Sequence, residues 1–178
     1  VAPSEDATLN GSSCLLTGNN EMDSNPSADD VDGGTTVVTT PIIDLSDYER
    51  VLLSYYRWYT NNLGDNPSTD SWIVQVSNDG GVEWVDIENT TLSKNMWSKQ
   101  MFFLEDYIDL SPDMQFKFLV EDEYHGGEFG SGGSLVEAAL DEFLISFIPN
   151  ISDIVQGDIN FDSEIDILDV IIVITIAL

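Results

Sequence analysis

The chain has 178 residues; 33 are Asp or Glu and only five are Lys or Arg, a formal net charge of −28. Like-charge repulsion from phosphates makes nucleic acid an unfavourable partner, and an anionic membrane surface likewise. With 42% apolar and 10% aromatic residues, the chain can bury a core, so global disorder is not expected, and its length fits one domain with at most a small appendage.

Cys14 is the single cysteine, so no intramolecular disulfide framework exists. No stretch reaches the roughly 18 apolar residues of a membrane span; the longest is Val170–Leu178. The start, Val1-Ala2-Pro3-Ser4, lacks both an initiator Met and a basic-plus-apolar signal peptide and reads as a processed or trimmed end. Sequons at Asn10, Asn89 and Asn150 would accept glycans, and an extracellular setting, secreted or at the cell surface, is the expectation.

Residues 1–35 are rich in Ser, Asn, Asp and Gly and read as loop with one strand at most. From Thr36 the pattern changes to short runs of strand type. Thr36–Ile43 is rich in β-branched residues, and Arg50–Thr60 is β-branched and aromatic. Ser71–Ser77 alternates, with Trp72, Val74 and Val76 on one face. Val82–Glu88, Trp97–Phe103 and Met114–Val120 continue the series. Leu135–Ile148 is ambiguous. Its Glu137-Ala138-Ala139-Leu140 centre favours a helix, whereas Phe143, Ile145 and Phe147 alternate; the reading is a long strand carrying a bulge, with a helix as the alternative. Such spacing, almost without helical periodicity, predicts an all-β antiparallel sandwich over 36–150, following the loop-rich segment 1–35.

A separate unit is expected over 151–178. Within it Asp158, Asn160, Asp162, Asp166 and Asp169 stand at positions 1, 3, 5, 9 and 12 of a twelve-residue loop, and Glu164 at position 7 would give its backbone carbonyl. Calcium needs six to eight hard oxygens, and this spacing wraps them around one ion, so Ca²⁺ is the expected cofactor. Without an ion the four Asp carboxylates would repel one another in a small volume. The apolar tail Val170–Leu178 is helix or strand. It packs on its own sandwich, is cut short from a longer chain, or joins a neighbouring subunit, which would give self-association through the C-terminal tail.

Residues 157–178 resemble a dockerin repeat, in which the twelfth ligand is Asp and a short apolar helix follows. Here Ser163 holds the position of the turn glycine, and Ile167-Leu168 stand where polar recognition residues usually lie. Ser77-Asn78-Asp79-Gly80-Gly81-Val82-Glu83-Trp84 is similar to an Asp-box: a hairpin in which Asp79 binds turn amides, Gly80 and Gly81 take positive φ, and Trp84 packs beneath. More widely, residues 31–148 resemble the jelly-roll accessory modules of secreted bacterial proteins, in the style of MAM and carbohydrate-binding domains. That resemblance rests on Val31–Thr35, Thr40–Ser46, Tyr55–Tyr59, the Asp-box hairpin and Val136–Phe143. It implies a non-catalytic jelly roll with a structural calcium between an early loop and the final strand, and by analogy Asp32 and Asp141 as ligands of a second ion.

No catalytic constellation is expected. His125 is the single histidine, which rules out a two-His zinc site, and nothing local supports a Cys14–His125 pair. Trp58, Tyr56, Trp72, Trp84 and Trp97 are candidates for stacking on sugar, although alternation turns about half of such residues into the core. The sequence thus predicts a non-enzymatic, calcium-binding structural or adhesive module that assembles into a filament or layer. The alternative is an accessory domain of a secreted hydrolase that binds carbohydrate or protein.

Overall fold

The computed structural model describes residues 3, 5–8, 11–18, 31, 33–64, 66–122 and 134–147. Among these residues eight strands follow in order: β1 Leu15–Leu16, β2 Gly34–Thr39, β3 Val51–Thr60, β4 Trp72–Ser77, β5 Val85–Thr90, β6 Lys94–Phe103, β7 Gln115–Asp122 and β8 Glu137–Phe147. Among the described residues the only helical element is a 3-10 turn at Leu104–Asp106, and no helix is long and apolar enough to cross a membrane.

The strands form two antiparallel sheets, β1-β8-β3-β6 and β2-β7-β4-β5. The pairs β1·β8, β2·β7, β3·β6 and β4·β5 are those of a strip of chain folded on itself and rolled, which is the jelly-roll order. β1 draws residues before Thr36 into this pairing: Leu15 lies opposite Leu140 and Leu16 opposite Ala139.

Alternation puts one side of β3, β4 and β7 into a common core, joined by Ile87 of β5 and Ala138 and Leu140 of β8. Val51, Leu53, Tyr55 and Tyr59 enter it from β3, Trp72, Val74 and Val76 from β4, and Phe116, Phe118 and Val120 from β7. The sheets meet through aromatic edges. Tyr55 stands T-shaped to Phe118 with centroids 5.2 Å apart, and Phe116 meets Phe143 at 5.6 Å; such contacts add to the burial of apolar area.

Two segments depart from simple alternation. Within the ambiguous segment, whose Ile148 lies outside the described residues, Glu137–Phe147 is strand, although its alanines favour helix, because Ala138 and Ala139 sit between β1 on one side and Tyr59 and Trp58 of β3 on the other. Tertiary pairing overrides local propensity there. The register against β3 slips by one residue between Asp141 and Leu144, and Glu142 takes φ = 50°, so the expected bulge is present. β5 begins at Val85 rather than Val82. The carboxylate of Asp79 accepts the amides of Val82 (2.9 Å) and Glu83 (3.0 Å), which keeps them in the turn, and Val82 is 80% exposed.

Candidate functional site

The hairpin between β4 and β5 has the predicted chemistry. Gly80 and Gly81 take φ of 73° and 90°, and the Trp84 indole donates to the Gly81 carbonyl at 3.0 Å. A Cβ on Gly81 would stand 2.7 Å from the Gln115 side chain and 3.1 Å from the Trp84 ring, so closeness as well as φ requires glycine. The Ser77 hydroxyl and the amides of Glu83 and Val82 hold the Asp79 carboxyl below the usual carboxylate range.

A second polar assembly lies inside the sandwich. β5 gains a residue at Ile87 against β4, so both Ile87 and Glu88 turn inward. The Glu88 carboxylate accepts the Tyr55 hydroxyl, the Arg57 guanidinium and the Trp72 indole, the last at 2.9 Å. Burial, then the charge and hydrogen bond of Glu88, push the Tyr55 hydroxyl far above the ordinary phenol range. With three donors on one carboxylate and side chains only 8% and 11% exposed for Arg57 and Glu88, this is a structural hub, closed to substrate.

The outer face of the first sheet reads off its register. The rows are Lys99–Tyr56–Asp141, Met101–Ser54–Leu144 and Phe103–Leu52–Ser146, with Trp58 and Ala139 further along. At the Trp58 end the N-terminal segment is bonded to this sheet. The Trp97 indole donates to the Glu5 carbonyl at 2.9 Å, and the Ala7 amide donates to the Asp141 carboxylate at 3.0 Å. Trp58 itself is 2% exposed. Asp141 thus accepts a hydrogen bond from the segment 5–8; Asp32 and all six residues of the proposed loop, Asp158 to Asp169, lie outside the described residues. Among the described residues no group of three or more His, Cys, Asp or Glu is placed to hold a metal. Burial, aided by Asp141 and Asp6, raises the Cys14 thiol above its ordinary value, the opposite of what activates a nucleophile. His125 lies outside the described residues.

The outer face of the second sheet is open and more polar. One row is Thr39–Lys117–Gln75–Asp86 and the next is Val37–Leu119–Ile73–Asn89. The Asp86 carboxylate binds two amide side chains, Gln75 at 2.7 Å and Asn89 at 3.2 Å, and the Lys117 ammonium lies 4.0 Å from the Trp84 ring centroid. Of the five aromatic candidates, Trp72 and Trp58 are buried, Trp84 is covered by Lys117 and Trp97 is tied to Glu5. Tyr56 has a looser contact of the same kind, with Lys99 5.8 Å from its ring. The polar row was missed in the sequence because its members are adjacent only through cross-strand register; the one available signal was that Gln75 alternates away from Trp72, Val74 and Val76. An apolar cleft of about 50 Å³ between β1 and β2, lined by Leu15, Val38, Trp72 and Phe118 among others, is far below the ~300–1,000 Å³ of ligand pockets.

No family model matches the chain, and no curated protein matches it. Among solved structures it is similar to one described as "Family 16 Carbohydrate Binding Module-2", at 15% identity and a TM-score of 0.38, over 65% of this chain and 73% of that one.

Proposed function

We propose that the chain is a non-catalytic extracellular binding module and that the outer face of its second sheet takes carbohydrate. The supporting observation is the Gln75–Asp86–Asn89 assembly on an open face. Asp86 fixes both amides, and each amide keeps an oxygen and a second N–H beyond that bond. Neighbouring ring hydroxyls of a sugar need such paired donors and acceptors, and Lys117 adds another donor. The adjoining Val37, Leu119 and Ile73 supply apolar area for the C–H face of a ring. A chain of charge −28 favours a neutral polysaccharide over an acidic one. In native gels containing soluble glucan, xylan or mannan, the protein is expected to be retarded by at least one polymer, and Gln75→Ala with Asn89→Ala to abolish the retardation. Unretarded migration in all three would remove this reading.

Calcium belongs to the same proposal. Asp158, Asn160, Asp162, Asp166 and Asp169, with the Glu164 carbonyl, would bind one ion, supported by their spacing and by the mutual repulsion of unneutralised carboxylates. A second ion at Asp141 and Asp32 has support only in the position of Asp141 beside the N-terminal segment.

A further inference from the structure

The first sheet's outer face is covered unevenly. The Trp97 and Asp141 end carries the segment 5–8. The other end is open, with Met101 56% and Leu144 52% exposed and Leu52 and Phe103 half-buried. Two of the chain's five bases border this open end: Arg50, which is paired with Glu105 at 3.1 Å and lies 4.9 Å from the Phe103 ring centroid, and Lys99 over Tyr56. On so acidic a molecule this combination of exposed apolar side chains and cations needs a partner that is both apolar and acidic.

We propose that the open end is the docking surface for the chain's own apolar C-terminal segment, Val170–Leu178. Three observations favour this occupant. The segment follows a base-free stretch that includes Asp158, Asp162, Glu164, Asp166 and Asp169, which complements Lys99 at the border of the patch. Phe147, the last described residue of β8, lies beside the row Phe103–Leu52–Ser146, so the connection to Val170–Leu178 starts at the edge of the patch. Size decides against a second copy. The two open rows, Met101–Ser54–Leu144 and Phe103–Leu52–Ser146, span roughly 10 Å by 15 Å, a fraction of the ~800 Å² per partner of a stable interface, yet room for a short apolar segment. This inference is independent of the carbohydrate reading, which concerns the opposite face.

Paired cysteines test it in the full chain. In a Cys14→Ser background, Leu144→Cys with Ile174→Cys is expected to oxidise within one chain about tenfold faster than Val82→Cys with Ile174→Cys at the hairpin tip, because docking raises the local concentration. Equal rates, no bond, or a bond only between chains would overturn the proposal. A second reading needs no disulfide: amides of residues 170–178 should exchange more slowly in the unmodified chain than in Leu144→Asp. Equal exchange in the two, with the sandwich amides still protected, would also overturn it.

Discussion

Glu88 shows how one carboxylate ties the two sheets together: it stands on β5 and takes donors from Tyr55 and Arg57 of β3 and Trp72 of β4. Replacing it by Gln leaves the Arg57 guanidinium buried without its counter-charge. Loss of one partner of a buried pair costs about 3–5 kcal/mol, so Glu88→Gln should lower the denaturant midpoint by that equivalent; an unchanged midpoint would mean that Arg57 finds water instead. Asp79 makes a different prediction. Its folded-state pKa is depressed, so its support of the turn is fully present above the ordinary carboxylate range, near ~4, and is lost as pH falls through the lower folded value. The Val82 and Glu83 amide resonances should therefore titrate with a midpoint below that of an exposed aspartate. A midpoint near the ordinary value would contradict the hydrogen-bond assignment.

At the scale of elements, the sequence was most legible where alternation and turn chemistry agree. β4 matches its prediction because Trp72, Val74 and Val76 reach one core while Asp79, Gly80 and Gly81 close the turn behind them. β8 needed its neighbours: Glu137-Ala138-Ala139-Leu140 carries no strand signal of its own, and only pairing with β1 and β3 decides it. The second sheet's polar row is a product of register, which a single strand does not encode. The bulge in β8 is testable. Glu142 holds φ = 50°, a left-handed conformation that costs a non-glycine residue about 1 kcal/mol. Among the described residues its side chain has one hydrogen-bond contact, at 3.4 Å from the Thr8 hydroxyl. Glu142→Gly should leave stability unchanged or raise it by up to about 1 kcal/mol in thermal unfolding; a clear loss would show that the side chain holds the N-terminal segment in place.

For the whole molecule, the charge of −28 divides by position. Arg57 neutralises Glu88 in the core, Arg50 and Lys99 border the open end of one outer face, and Lys117 stands on the other. The last 28 residues have six acids and no base, which is why an ion is expected there. Calcium should raise the melting temperature, since a ligand that binds only the folded state stabilises it in proportion to the logarithm of its excess over Kd. Asp158→Ala with Asp169→Ala should abolish that rise, and an equal rise in the double variant would place the ion elsewhere. The carbohydrate claim is tested most directly by titrating the isotope-labelled chain with the polysaccharide that retards it and mapping amide and side-chain shifts by NMR. The account predicts saturable shifts concentrated at Gln75, Asp86, Asn89 and Lys117; shifts confined to the first sheet or to the β4–β5 hairpin tip would contradict it.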